Sequence, residues 1–369
     1  MKRSTVRDGL FLPVAAAALL HACAGTGSEG HSAGTGGTNA RPVGSGGRSA
    51  TGGGTATGGV GTGGRSATGG AAPTGGSGTG GAMATADAGT NPDSGVGAKR
   101  CPAGPFPAPA MLSSTNVCTD FAFAYDSNEG PTWIASQQAF FFSNYAIQQA
   151  SGGDIIKYTP GGACETFISG VGCNGLAVDN DGNLLAACQQ SRSVVKFDIN
   201  TKQMTTVVDN YMGQLFDSPN DLVVHSNGTI YFTNPTYELG GRPPGFGLAT
   251  FRIDPTGALS LIAQGQCNGI ALSPDETKLY VLFAGVWSLD PQGVPIGPPD
   301  PPLNGDGMAV DCAGNLYVSG RIYSPTRQNL GSFSGGTNLA FGGPDGTTVL
   351  VVGRGTAVQE LKMNVPGLP

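Results

Sequence analysis

The sequence predicts an all-β protein built as a six-bladed β-propeller, and two observations support this prediction. The first is a motif that occurs six times, in which a polar residue precedes a short apolar segment. The second is the spacing of these motifs, about 32 to 48 residues, which lies within or somewhat below the range in which propeller blades repeat. The leading polar residues are Glu129, Asn174, Asn220, Asn268, Asp306 and Asn338.

Most of the six motifs continue into a turn and a second apolar strand. The clearest turns are Asp179-Asn-Asp-Gly, Ser226-Asn-Gly and Asp311-Cys-Ala-Gly. Two apolar strands joined by a turn that contains glycine form a β-hairpin. Equivalent positions in the blades of a propeller lie at equivalent distances from the axis. We therefore expect the six leading side chains to converge on one central channel.

Residues 1–22 are predicted to be a lipoprotein signal peptide. A basic start is followed by an apolar run that ends at Leu20 and by the small residue Ala22, which is typical of a secretory signal. The sequence Leu-His-Ala before Cys23 resembles a bacterial lipobox, which implies lipidation of Cys23; an ordinary signal peptide is the alternative. We expect an exported protein held at the outer membrane or cell surface of a bacterium only through this lipid.

Residues 23–100 are predicted to be a disordered linker. They consist largely of Gly, Thr, Ser and Ala in near-repeats, with almost no large apolar residue. Such a composition cannot bury enough surface to offset the entropy of the chain. A Gly-rich coil of this length has a root-mean-square span of about 45 to 50 Å. The remaining residues, 101–369, are sufficient for one propeller domain.

Charge and cysteine content limit the classes of partner. The net charge of -6, without a basic cluster in residues 101–369, argues against nucleic acid as a partner. Export permits disulfides, and Cys101 with Cys118 and Cys164 with Cys173 are candidate local pairs, although spacing does not determine connectivity. The sequence contains no Cys-x-x-Cys pair, which disfavours a cysteine metal site.

Histidine chemistry is not expected in this protein. The sequence contains three histidines, of which only His225 lies in the predicted domain. No Gly-x-Ser-x-Gly motif stands in that domain, so a Ser-His-Asp hydrolase is disfavoured. His225 follows the predicted strand of the third motif, where we expect it to have a surface or turn role.

Four of the six leading residues form a candidate cation site. Glu129 and Asp306 supply carboxylates, and Asn220 and Asn268 supply amide oxygens. Two buried carboxylates repel each other unless a cation neutralises them. Ligands that are all oxygens favour hard ions such as Ca²⁺, with Mg²⁺, Mn²⁺ or Zn²⁺ as alternatives. From the residues alone the other interpretation is equally open, namely that they start turns or cap strands.

Seven stretches in residues 120–366 support a family resemblance. They are Glu129-Gly-Pro-Thr-Trp, Asn174-Gly-Leu-Ala-Val-Asp, Asp217-Ser-Pro-Asn-Asp-Leu-Val-Val, Gly228-Thr-Ile-Tyr-Phe-Thr-Asn-Pro, Asn268-Gly-Ile-Ala-Leu-Ser-Pro-Asp-Glu, Asp306-Gly-Met-Ala-Val-Asp and Thr337-Asn-Leu-Ala-Phe-Gly-Gly-Pro-Asp-Gly. In this order they resemble the gluconolactonase and regucalcin (senescence marker protein) family of six-bladed, calcium-dependent propellers. Each stretch is weak alone, whereas seven in the order of the family are strong evidence.

The resemblance implies a role for each candidate residue. Glu129, Asn220, Asn268 and Asp306 correspond to the metal ligands of the family, and Asp306 to the base that activates water. The implied reaction is the hydrolysis of a small sugar lactone to a hydroxy acid by a monomeric enzyme. The residues that we expect to contact the substrate are Asn174, Gln190 and Asn338.

Departures from the family pattern leave the substrate and the activity open. The family shows Ser-Asp or Thr-Asp after the second strand of several blades, whereas this chain has Ser143-Asn144 and Thr233-Asn234. Gln190 lies where relatives carry His or Arg, and a solvent-facing loop is an equal interpretation of this segment. A second class of function is therefore a non-catalytic surface propeller with a structural cation. Another metal-assisted hydrolysis, for example of phosphotriesters, is a third.

Overall fold

A computed structural model describes residues 101–333, 335–355 and 358–368, and every structural statement below concerns these residues. The predicted signal peptide, the predicted linker and Cys23 lie outside them. Within the described part, the strands form six four-stranded antiparallel sheets and one two-stranded hairpin. One short 3₁₀ turn, Ala135–Gln137, interrupts the strands. The prediction of an all-β, six-bladed propeller is confirmed.

The first two blades follow the chain from the inner to the outer strand. The strands up to the end of the second blade are β1 (Met111–Val117), β2 (Ser127–Ile134), β3 (Ala139–Tyr145), β4 (Gly153–Tyr158), β5 (Cys164–Ile168), β6 (Leu176–Val178), β7 (Leu184–Cys188), β8 (Ser193–Phe197) and β9 (Met204–Val208). The first blade is β2 to β5 and the second is β6 to β9.

The extra hairpin and the next two blades repeat this arrangement. Their strands are β10 (Asn210–Tyr211), β11 (Gln214–Leu215), β12 (Leu222–Val224), β13 (Ile230–Asn234), β14 (Ala249–Ile253), β15 (Leu259–Gln264), β16 (Ile270–Leu272), β17 (Lys278–Val281), β18 (Gly285–Leu289) and β19 (Pro295–Asp300). The third blade is β12 to β15 and the fourth is β16 to β19, while β10 pairs with β11.

The last two blades close the ring. Their strands are β20 (Met308–Val310), β21 (Leu316–Val318), β22 (Arg321–Tyr323), β23 (Asn329–Ser332), β24 (Asn338–Gly342), β25 (Thr348–Val352) and β26 (Val358–Met363). The fifth blade is β20 to β23, and the sixth is β24, β25, β26 and β1. Because β1 supplies the outer strand of the sixth blade by pairing with β26, the two ends of the domain are joined by backbone hydrogen bonds.

The predicted hairpin turns lie where the sequence indicates. The pairs β6–β7, β12–β13 and β20–β21 are antiparallel hairpins around them. Asp311 shows why such a turn forms: its Oδ1 accepts the backbone N–H of Ala313 at 3.0 Å and of Asn315 at 2.9 Å. Asp and Asn side chains stabilise tight turns through such bonds.

Six apolar clusters hold the blades together, one between each pair of neighbours. In the first cluster, Phe141 of the first blade packs with Leu184 of the second. In the cluster that closes the ring, Trp133 of the first blade packs with Leu350 of the sixth. The inner three strands are thus buried on both faces, which explains apolar runs such as Phe140 to Phe142 that do not alternate with polar residues.

The disulfide pairing differs from the local pairs that spacing suggested. The bonds are Cys101–Cys312, Cys118–Cys164 and Cys173–Cys188, and Cys267 is a buried thiol. The candidate pairs Cys101–Cys118 and Cys164–Cys173 are therefore wrong. Closure of the ring explains Cys118–Cys164, because it brings the end of β1 beside the outer strand of the first blade. Cys173–Cys188 forms within the second blade, where Asn174 and Ala187 are hydrogen-bonded neighbours.

His225 has the predicted turn role, since its Nδ1 accepts the N–H of Asn227 at 3.1 Å, but the side chain is buried rather than exposed. Among the described residues, no helix has the length and apolar character needed to cross a membrane.

Candidate active site

A cavity of about 190 Å³ lies on the propeller axis, at the end where the inner strands begin. Its floor consists of residues that lead the inner strands, and its walls come from loops at that end of the blades. The lining residues are Ser127, Glu129, Tyr145, Ile147, Gln148, Asn174, Asn220, Tyr237, Glu238, Asn268, Asp306, Thr337 and Arg354. Five of the six leading residues predicted from the sequence therefore meet in one place.

Hydrogen bonds between neighbouring blades fix the floor. In each of three cases the glycine after a leading residue donates its N–H to the carbonyl of the leading residue in the next blade. The pairs are Gly175 to Asn220 (2.6 Å), Gly269 to Asp306 (2.8 Å) and Gly307 to Thr337 (2.7 Å). A Cβ at Gly175 would lie 2.6 Å from the Asn220 carbonyl oxygen, so a side chain does not fit there. The repeated Asn-Gly and Asp-Gly pairs thus reflect close approach of the blades at the axis.

The sixth floor position belongs to Thr337, not to Asn338. Thr337 lines the cavity and accepts the N–H of Gly307, as leading residues do in other blades. Asn338 follows Thr337 in the chain and occupies the position that a glycine such as Gly175 occupies after the leading residue of most other blades. Its Oδ1 accepts the N–H of Leu339 at 2.8 Å, and it lines a separate axial cavity of about 100 Å³ on the far side of the floor. We place the site in the first cavity because the lining of the second is mostly apolar.

The two floor carboxylates are electrostatically unfavourable together. Glu129 is only 5% exposed, and burial raises its pKa well above its usual value, with a further increase from the negative charge of Asp306. Burial also raises the pKa of Asp306, while a hydrogen bond from Asn268 and the positive charge of Arg354 oppose that rise. A cation between Glu129 and Asp306 would neutralise both charges.

The two amides complete a donor set suited to a hard divalent cation. The Nδ2 of Asn268 donates to Asp306 Oδ1 at 2.8 Å. Within the described part of the chain, no hydrogen bond uses the carbonyl oxygen of the Asn268 side chain or the side chain of Asn220. Two carboxylates and two amide oxygens match the ligand preference of Ca²⁺. In the same residues, no group of three or more His, Cys, Asp and Glu side chains is placed to hold a metal.

The walls contain functional groups that the sequence did not indicate. Glu238, in the loop between β13 and β14, accepts the hydroxyl of Ser218 at 2.9 Å, and burial raises its pKa to about 7. Burial and the negative charge of Glu129 raise the pKa of Tyr145 far above its usual value, so its hydroxyl stays protonated. Tyr237 and Arg354 complete the polar wall. These four residues lie at the ends of second strands or in loops, outside the repeated motif.

Gln190 lies outside the cavity lining, although the sequence suggested contact with a substrate. Its side-chain amide is engaged at both ends, because Nε2 donates to the Gly170 carbonyl and Oε1 accepts the Gly152 N–H, each at 2.9 Å. Of the three residues predicted to contact substrate, only Asn174 lines the site.

Comparisons with known proteins point to one family. Residues 127–353 match the family described as "SMP-30/Gluconolactonase/LRE-like region". A gluconolactonase from Zymomonas mobilis subsp. mobilis is 35% identical over 260 residues, which covers 58% of this chain and 73% of that protein.

Two solved structures share the fold. A gluconolactonase from Xanthomonas campestris superposes with a TM-score of 0.57 at 24% identity, covering 72% of this chain and 99% of that one. A structure from Agrobacterium tumefaciens described as a calcium-binding protein, regucalcin, gives 0.53 at 18% identity, covering 71% and 95%. At these identities the likeness shows the fold alone.

Proposed function

Because the chain belongs to the SMP-30/gluconolactonase/LRE-like family, we propose that it is a metal-dependent hydrolase that opens a sugar lactone to a hydroxy acid. The observation that carries the proposal is the pairing of Glu129 and Asp306 with two amides on the floor of one polar cavity. The gluconolactonase from Zymomonas mobilis, which matches over most of its own length, supports the choice of a lactone.

Glu129, Asn220, Asn268 and Asp306 would hold the cation. Ca²⁺ is favoured by the all-oxygen donors and by the description of the structural relative from Agrobacterium tumefaciens as a calcium-binding protein. When bound, the cation supplies Lewis-acid polarisation of the ester carbonyl and stabilises the negative charge that develops on its oxygen.

Asp306 is the proposed general base. It takes a proton from the attacking water, whose oxygen forms a bond to the carbonyl carbon. As the ring C–O bond breaks, the same proton passes to the departing ring oxygen, so that lactone and water give a hydroxy acid. The hydrogen bond from Asn268 Nδ2 to Asp306 Oδ1 fixes the orientation of this carboxylate.

The walls would hold the rest of the substrate. The hydroxyls of Tyr145 and Tyr237, the carboxyl of Glu238 and the amide of Asn174 surround the floor with hydrogen-bonding groups. A polyhydroxylated ring can form hydrogen bonds with such groups, whereas an apolar ligand would exclude water from them without replacing its hydrogen bonds. A small sugar lactone is therefore the proposed substrate, and a monomer is the proposed state of the enzyme.

A second candidate is a binding propeller with a structural cation at the surface of a bacterium. The observation that favours presentation of the cavity at a surface is the disulfide of Cys101 with Cys312. Cys312 follows the end of β20, whereas Asp306 precedes the start of the same strand. Cys101, at the start of the described residues, therefore lies at the face away from the cavity mouth. A lipid anchor on Cys23 and export remain part of this proposal and of the first.

The variant Asp306→Ala separates the two candidates. In a hydrolase, the variant loses at least about 100-fold in turnover because a positioned general base contributes this much. In a binding propeller, neither protein opens the lactone above the spontaneous rate, and the variant loses only metal binding and thermal stability. Rates of acid release and melting curves, both with added calcium, are the measurements.

A further inference from the structure

Two long loops provide most of the cavity wall. Residues 146–152, between β3 and β4, carry Ile147 and Gln148, and residues 235–248, between β13 and β14, carry Tyr237 and Glu238. In the other blades the equivalent connections are only a few residues long. Neither loop has regular secondary structure, so other contacts must fix the wall.

Arg242 binds the second loop to itself and to the neighbouring blade. Its Nε donates to the Leu239 carbonyl at 3.2 Å, and its Nη2 donates to the Glu238 carbonyl at 3.3 Å. The same guanidinium donates to the carbonyls of Gln189 (2.6 Å) and Gln190 (3.1 Å) in the turn between β7 and β8. Among the described residues it makes no ion pair, so the guanidinium acts here as a rigid set of donors to backbone.

Gln190 continues the connection to the first loop. Its side chain bridges the N–H of Gly152, at the end of that loop, and the carbonyl of Gly170. A Cβ on Gly172 would lie 2.5 Å from the Cβ of Gln190, which shows how closely the side chain is packed there. Arg242, the turn and Gln190 thus form a continuous chain of hydrogen bonds between the two loops.

The loops also touch directly. Gly240 has a φ of +55°, and a Cβ there would lie 2.4 Å from the backbone nitrogen of Ala150. Displacement of one loop would therefore disturb the other.

We infer that Arg242 is a positioning residue, which with Gln190 holds the two loops so that their side chains face the substrate. Neither residue lines the cavity or belongs to the metal-binding set. Because the loops contact the substrate rather than the reacting atoms, the effect of the residues falls on substrate affinity. This kinetic consequence rests on the proposed function, whereas the mechanical link between the loops does not.

The test compares Arg242→Ala with Arg252→Ala in the full-length protein. Arg252 is a matched control, because its guanidinium also donates only to backbone carbonyls, of Gly293 at 2.9 Å and Gln292 at 3.0 Å, but at the opposite end of the propeller. Hydrogen–deuterium exchange measured by mass spectrometry reports on the loops. Acid release from glucono-δ-lactone with calcium gives KM and kcat.

Arg242→Ala is expected to speed exchange in both 146–152 and 235–248, and to raise KM about fivefold or more with kcat within about twofold, because several hydrogen bonds are lost. Arg252→Ala should change neither loop nor KM. Arg242→Lys keeps the positive charge but loses the planar set of N–H donors, so its exchange rates and KM should resemble those of Arg242→Ala. Gln190→Ala is milder and should speed exchange in 146–152 only, which keeps the inference testable if Arg242→Ala does not fold.

Unchanged exchange in 146–152 after both Arg242→Ala and Gln190→Ala would overturn the inference. So would a loss confined to kcat, or an equal effect of Arg252→Ala. If the unaltered protein releases no acid, the proposed function fails, while the exchange result still decides whether the two loops are linked.

Discussion

Replacing Glu129 with Gln tests whether the floor carboxylates exist to hold a cation. Gln keeps an oxygen that can accept the Gly130 N–H, which lies 3.3 Å from Glu129 Oε2, and it removes one negative charge. Without metal, the variant should melt no lower than the unaltered protein, because it lacks the carboxylate whose pKa is raised by burial and, further, by the negative charge of Asp306.

Calcium, in contrast, should stabilise the unaltered protein more than it stabilises the variant. A ligand present at 100 times its dissociation constant stabilises a protein by about 2.7 kcal/mol. For a domain of this size each kcal/mol raises Tm by about 2–4 °C, so calcium should raise the Tm of the unaltered protein by about 5–10 °C. In Glu129→Gln the cation loses a charged ligand, and we expect an increase below about 2 °C.

Differential scanning fluorimetry with chelator and then with calcium measures both quantities. Glu238→Gln is the matched control, because Glu238 is also a buried carboxylate of the cavity but lies outside the metal-binding set. It should retain the full calcium effect. A full calcium effect in Glu129→Gln, or its loss in Glu238→Gln, would refute the assignment of the ligands.

Three further changes test the fold around the site. Cys101→Ser opens a disulfide to Cys312 across 211 residues, and urea unfolding should show a loss of up to about 5 kcal/mol with KM unchanged. Gly175→Ala places a methyl group against the next blade and should cost about 1–3 kcal/mol in thermal unfolding, whereas Gly335→Ala, with no atom within 4 Å, should cost under about 0.5. Asp217→Ala removes a fully buried carboxylate that accepts two backbone N–H groups at 2.6 Å, and urea unfolding should show a loss of about 3–5 kcal/mol. Equal melting of the two glycine variants, or an unaffected Asp217→Ala, would contradict these contacts.

The repeated motif made most of the fold and the floor of the cavity predictable. A leading polar residue, a glycine and an apolar segment recur because every blade meets its neighbours at the axis under the same steric limits. The same regularity predicts that Glu129, Asn220, Asn268 and Asp306 meet at the axis, and all four line one cavity. In the sixth blade the predicted leading residue, Asn338, is one residue too late, and Thr337 holds the floor position. Both residues are polar, so the motif fits the sequence in either register.

The walls could not be predicted because they depend on contacts between segments distant in sequence. Glu238 lies in a loop that contacts residues distant in sequence, since Arg242 of that loop donates to the Gln189 carbonyl of another blade and Ser218 donates to Glu238 itself. Gln190 occupies a turn whose sequence suits a substrate contact, and its bonds to Gly152 and Gly170, which hold it outside the cavity lining, could not be read from that sequence. The Cys118–Cys164 disulfide follows the same logic, since ring closure brings these two cysteines together.

Acid release from glucono-δ-lactone by the purified protein is the decisive measurement of metal-dependent lactone hydrolysis. The rate is measured with calcium, after chelation and after calcium is restored. We expect hydrolysis above the spontaneous rate with calcium, its loss on chelation and its recovery when calcium is restored. A rate equal to the spontaneous one in all three conditions would contradict gluconolactonase activity, and a rate above it that ignores the chelator would contradict the role of the cation.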